Sequence, residues 1–129
     1  MQKKRPVNRP KNLNLFTIKL PINALVSILH RASGVGLFLL LPIMLLALQQ
    51  SLVSAVSYQS LIQPLSHWLV KLFLIACSGA FFHHFYAGIR HLLQDVHWMT
   101  TLQKSRVTGH VVLVLDGFSV LLFAWSIFS

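Results

Sequence analysis

Three apolar runs separated by polar stretches fill the chain after position 20. The first opens behind Pro21, a residue suited to the first turn of a helix. It continues to about position 49 and includes the nearly uninterrupted stretch from Gly34 to Leu48. A bilayer core of about 30 Å needs roughly 20 helical residues, so this run is long enough to cross one with some tilt. Pro42 should kink it, which membrane helices tolerate. The second run covers about 65–93. Trp68 stands near its start as an interfacial anchor, and Lys71 can extend its charge outward along its apolar stem. The third covers about 107–128, with Trp125 near its end. The pattern predicts an all-α membrane protein with spans at 22–49, 65–93 and 107–128. The uncharged stretch 50–64, with Tyr58 and Pro64, and the polar stretch from Asp95 to Arg106 read as loops.

Composition strengthens this picture. The chain has 129 residues, which allows one domain; 55% are hydrophobic and only 10% are charged. Soluble domains carry about 25% charged residues, which argues against a water-soluble globule. The formal net charge is +9, from 11 Lys+Arg against two acids, Asp95 and Asp116. A nucleic-acid partner would need those charges spread over a polar surface, and the chain has too little of one. Six of the 11 basic residues instead fall before position 20: Lys3, Lys4, Arg5, Arg9, Lys11 and Lys19. Pro6 and Pro10 break any helix there, so residues 1–20 read as a basic arm and 21–129 as the membrane domain. Three spans put this arm and the Asp95–Arg106 loop on one side. Lys and Arg favour the cytoplasm, which predicts the N-terminus inside and the C-terminus outside. Cys77 is the sole cysteine, so neither an intrachain disulfide nor a CxxC motif is possible.

Ionisable residues inside a span are costly and point to function. The first span carries Ser27, His30 and Arg31. Ser27, Arg31 and Gly34 share a face at i, i+4 and i+7, and Gly34 permits close approach of a helix or a flat ligand. In the second span His84, Gly88, His91 and Asp95 form a narrow stripe at i, i+4, i+7 and i+11. His83 and Arg90 lie off it. Arg31 stands about 14 Å into its helix, and His84 about 16 Å from Asp95, at 1.5 Å per residue. Two antiparallel helices therefore bring Arg31 and His84 to similar depth in the inner half of the membrane.

Two ligands fit such a pocket. A neutral imidazole at His84 suits haem iron, with Gly88 leaving room for a macrocycle and Arg31, His30 or His91 near its propionates. A quinone would instead need donors such as Ser27 and Arg31, and a His–Asp path for protons. Blander roles compete. A single membrane histidine usually bonds a neighbouring helix, which suffices for His83, and Arg90 can meet lipid phosphate or a partner protein. The aromatic residues at 81, 82, 85 and 86 read as packing. Asp116, about nine residues into the third span, has no assigned role; a Gln, His or Arg of a neighbour would relieve its charge.

The run from Ser27 to Gly34 (SILHRASG) resembles the S-I-x-H-R-x-[ST]-G signature of the succinate dehydrogenase cytochrome b556 subunit family, the larger membrane anchor of that complex. The run from His84 to Asp95 resembles the family's H-x3-G-I-R-H-x3-D segment, with Gln94 where some members have Trp. The stretch from Arg5 to Leu13 is similar to its R-P-[VL]-S/N-P opening, with an extra residue or two near Arg9 and Pro10. The resemblance covers the arm and the first two spans; the third matches only as an apolar helix.

The resemblance implies a subunit of succinate dehydrogenase in a bacterial inner membrane, packed against a second, smaller three-helix anchor. Together the two would hold a flavoprotein with FAD and an iron–sulfur protein at the inner face, passing electrons to ubiquinone. It implies His84 as axial ligand of haem b, with the second ligand from the partner anchor. It places Ser27 and Arg31 at the quinone site, and His30, Arg31 and His91 toward the propionates. Asp95 is a candidate for proton supply. The chain has no Gly-rich nucleotide loop and no cluster cysteines, so it would not itself oxidise succinate. A fumarate reductase anchor and a non-redox scaffold or transporter component are the alternatives.

Overall fold

The computed structural model describes residues 20–129, so the expectations for the basic arm lie outside the described residues. Three long helices, α1 (Ile22–Val53), α3 (Trp68–Asp95) and α4 (Leu102–Phe128), are each long and apolar enough to cross a membrane. A short helix α2 (Ala55–Ile62) and a 3-10 turn (Gln63–Ser66) join α1 to α3. The 32 residues of α1 rise about 48 Å, more than a bilayer core requires, so the helix overshoots its predicted end and accommodates Pro42 without breaking.

The 50–64 stretch is therefore helical where a loop was expected. Ser54 interrupts the helix with extended backbone and then caps the next one. Its Oγ accepts from the Ser57 amide at 3.1 Å, and its own amide donates to Ser57 Oγ at 3.0 Å. This is a capping box with serine in the position usually held by Glu or Gln, which a search for the acidic residue overlooks. The ring of His67 caps α3 by accepting from the Leu69 amide at 3.3 Å. At the far end of α3, His97 and Met99 adopt positive φ of 59° and 64°, turning the chain sharply. Thr101 then caps α4 by accepting from the Lys104 amide, so α4 begins five residues before the predicted span.

The core is one small junction where the three long helices meet. Val26 and Ala87 are fully buried and Val112 is 4% exposed, one from each helix. Small residues allow the close approach. A Cβ on Gly109 would sit 3.4 Å from Asn23 Oδ1 and from Ile22 Cγ1, so α1 and α4 touch nearly backbone to side chain. Most large apolar side chains face outward along all three helices, as lipid-facing surfaces do. The Lys71 Nζ lies 4.9 Å from the centroid of the Phe128 ring, a cation–π contact joining the start of α3 to the end of α4.

Candidate functional site

Two neighbouring faces of α3 carry different chemistry. One, with His83, Ala87 and Arg90, is buried against α1 and α4. The other carries His84, Gly88 and His91 and meets α1 at His30.

On the second face, His30 and His84 stack with centroids 4.3 Å apart and ring planes 8° apart. His91 lies against His30 at 5.0 Å, tilted by 54°. Two glycines make this possible. A Cβ on Gly34 would lie 2.9 Å from His84 Cε1, so only glycine lets that imidazole approach α1. A Cβ on Gly88 would lie 3.4 Å from His30 Nε2. The space beside Gly88 thus receives the His30 ring, where the sequence suggested room for a macrocycle. Each helix contributes a histidine and the glycine that receives the other's ring.

The hydrogen-bond partners of His84 assign a tautomer to the neutral ring. Its Nδ1 lies 3.1 Å from the His30 carbonyl oxygen. A carbonyl only accepts, so Nδ1 carries the hydrogen. The Ser33 hydroxyl uses its own proton on the same carbonyl at 2.9 Å and stands 3.5 Å from Nδ1. Nε2 keeps its lone pair and has no hydrogen-bond partner among the described residues. An imidazole oriented by an Nδ1–H to carbonyl bond, with Nε2 free, is the arrangement used to ligate a metal. No three His, Cys, Asp or Glu side chains among the described residues converge as a ligand set for a bare ion. A haem iron already has four porphyrin nitrogens and needs only axial ligands, so the donor set fits haem better than a free metal.

The remaining candidates are dispersed. Ser27 is half-buried one turn before Arg31, while Arg31 and Asp95 are exposed on this chain. Neither of the latter forms an ion pair among the described residues. An apolar hollow of about 290 Å³ between α3 and α4, near Tyr86, Leu93, Thr108 and Val112, includes none of them.

The buried face of α3 holds a joint that sequence reasoning missed, at Arg90, and one it expected in kind, His83 bonding its neighbouring helices. Arg90, 5% exposed, turns inward and not toward lipid phosphate. Its Nε donates to Thr108 Oγ1 at 3.2 Å. One terminal nitrogen donates to Asn23 Oδ1 at 3.0 Å, to Ser105 Oγ at 3.0 Å and to the Ser105 carbonyl at 3.2 Å. Gln94 adds a bond to Ser105 Oγ at 3.1 Å. One guanidinium thereby ties α1, α3 and α4 together, using the fixed fork that lysine lacks.

His83 makes a second three-helix joint. Its Nε2 lies 3.3 Å from the Val26 carbonyl and its Nδ1 3.2 Å from Asp116 Oδ2. The carbonyl requires a hydrogen on Nε2. The second contact requires one more proton, on Nδ1 or on the carboxyl. Either way the pair is neutral overall, which limits the cost of burying it. Asp116, unassigned from sequence, therefore has its partner. The offset of 83 and 90 by seven positions, with the polar Ser105, Thr108 and Asp116 on a facing helix, was the available signal.

The sequence is similar to that of one family of membrane subunits. Residues 5–123 match the model of the succinate dehydrogenase/fumarate reductase transmembrane subunit family. The succinate dehydrogenase cytochrome b556 subunit of Coxiella burnetii is 37% identical over 116 residues, 88% of this chain and 92% of that protein. The cytochrome b556 subunit of Rickettsia felis is 34% identical over 82% of both chains. The succinate dehydrogenase cytochrome b560 subunit of Reclinomonas americana is 31% identical over 95% of this chain and 88% of its own length.

Proposed function

The chain belongs to the succinate dehydrogenase/fumarate reductase transmembrane subunit family, and from that premise we propose that it is the cytochrome b anchor of a succinate dehydrogenase, binding haem b and helping to form the site where ubiquinone is reduced. The observation that carries this reading is the His84 ring. Its Nδ1–H is held by the His30 carbonyl, which leaves Nε2 as the atom that would hold the haem iron. When bound, haem b supplies a one-electron redox centre within the membrane.

The protein residues have distinct tasks. Gly34 admits the His84 imidazole, and the His30 carbonyl fixes its tautomer and direction. His30, His91 and Arg31 offer donors for the propionates. Ser27 and Arg31, one turn apart on α1, offer an O–H and N–H groups to quinone carbonyl oxygens. Arg31 is exposed on the isolated chain, which suits a site completed by a partner. Asp95, exposed at the end of the same stripe, can pass protons from water.

The working assembly is a bacterial inner membrane with the N-terminus cytoplasmic and the C-terminus periplasmic. A second three-helix anchor would supply the other axial ligand. An iron–sulfur subunit and a flavoprotein would dock on the cytoplasmic side, where the Val96–Thr101 turn also lies. The relatives named above are all succinate dehydrogenase subunits, which favours that enzyme over a fumarate reductase. A scaffold or transporter role leaves the oriented His84 ring without a purpose.

The test is purification in detergent followed by turnover. The flavoprotein, the iron–sulfur protein and a second small anchor should co-purify. Ser27→Ala and Arg31→Ala should each lower succinate-dependent quinone reduction while succinate-dependent dye reduction continues. Undiminished quinone turnover in both variants rejects the quinone assignment.

A further inference from the structure

Asp116 stands close to the midpoint of α4, where a carboxylate in an apolar helix is most expensive. It has one partner, the ring of His83. His83 in turn is bonded to the α1 backbone at Val26. The next residue along α3 is His84, bonded to the α1 backbone at His30. The two accepting carbonyls are four residues apart, one helical turn on the same face of α1. Adjacent histidines thus grip successive turns of one helix, and only the first is also gripped by α4.

We propose that Asp116, acting through His83, is a positioning residue for the His84 imidazole, setting the rotation of α3 about its axis. The inference rests on the haem reading of His84. A rotation of α3 by about 15° would carry an atom at the side-chain radius of about 6 Å sideways by about 1.5 Å. Binding geometry generally needs to be held within about 0.5 Å. The His84 bond joins α3 to α1 alone, so a coupled movement of those two helices against α4 can preserve it. His83 is held on both ring nitrogens by two different helices, so a rotation of α3 of that size at His84 strains one bond or the other; Arg90 makes the corresponding three-helix joint about two turns further along α3. The Tyr86–Ser119 hydrogen bond, at 2.9 Å, also joins α3 to α4 but from a hydroxyl at the end of a long side chain, and it serves as the control.

The experiment compares whole detergent-purified complexes by low-spin electron paramagnetic resonance and by the visible band of reduced haem. Asp116→Asn keeps both bonds, since its amide can donate to Nδ1 while Nε2–H still donates to Val26. It should retain the wild-type signal. Asp116→Leu, which suits an apolar helix but loses the bond, should shift and broaden the resonance. His83→Phe keeps the ring volume, loses both bonds and should do the same. Tyr86→Phe should leave the signal in place. A wild-type signal in either assembled bond-breaking variant overturns the inference, as does an equal shift in Tyr86→Phe. Failure of both bond-breaking variants to assemble, while Asp116→Asn and Tyr86→Phe assemble, assigns the pair to folding and also overturns it. Absence of a b-type haem from the wild-type complex would instead refute the haem reading itself.

Discussion

The His84 ring lies against Gly34 so closely that a single methyl group on that glycine would reach within 2.9 Å of Cε1. Real Cβ atoms do not approach a neighbour that closely, so Gly34→Ala must displace the imidazole from its bond to the His30 carbonyl. The expected result is a marked loss of haem from the purified complex. Gly88→Ala creates only a 3.4 Å contact with His30 Nε2, which a small movement relieves, and should cost far less. Haem content per complex, measured from the pyridine haemochrome, checks the order. Equal retention in the two variants would remove the steric argument.

Arg90 makes a separate prediction about stability. Its Nε and one terminal nitrogen serve three polar residues on two other helices. Arg90→Leu would leave buried Ser105 and half-buried Asn23 and Thr108 without these bonds, at a cost of about 1–3 kcal/mol. The midpoint of detergent-induced unfolding should fall. Arg90→Lys keeps the charge but not the planar fork, so it should recover only part of the loss. A full recovery with lysine would mean that charge, and not the geometry of the donors, holds the joint.

The proposed orientation can be read without function. Three crossings place the C-terminus opposite the Val96–Thr101 turn. A periplasm-active reporter fused after Ser129 should be active. A cysteine replacing exposed His97, in a variant where Cys77 is Ser, should be labelled only when the cytoplasmic face is accessible. An inactive C-terminal reporter with labelling from outside would invert the model.

The sequence revealed the long helices because their apolar runs far exceed any globular helix face and their interruptions are polar. It also revealed the stripe of His84, Gly88 and His91, since helical periodicity alone places those residues together. It did not reveal α2. The capping pair of Ser54 and Ser57 is made of residues common in loops, and no charged side chain marks the helix. Nor did it reveal the inward course of Arg90. A lone arginine near a helix end ordinarily reaches water or phosphate, and only the convergence of Asn23, Ser105 and Thr108 from other helices turns it inward. For Asp116 the sequence offered the kind of partner, Gln, His or Arg, but not which one, because His83 is 33 positions away. Tertiary pairing of single polar residues has no local periodicity to announce it.

The central claim is that His84 Nε2 is the donor this chain presents to haem iron. The most direct test is the reduced-minus-oxidised visible spectrum of the purified complex, wild type against His84→Ala, with subunit content verified on the same samples. The account predicts a b-type spectrum in the wild type, and its loss or conversion to a high-spin form in the variant. An unaltered low-spin b-type spectrum in an assembled His84→Ala complex would contradict it.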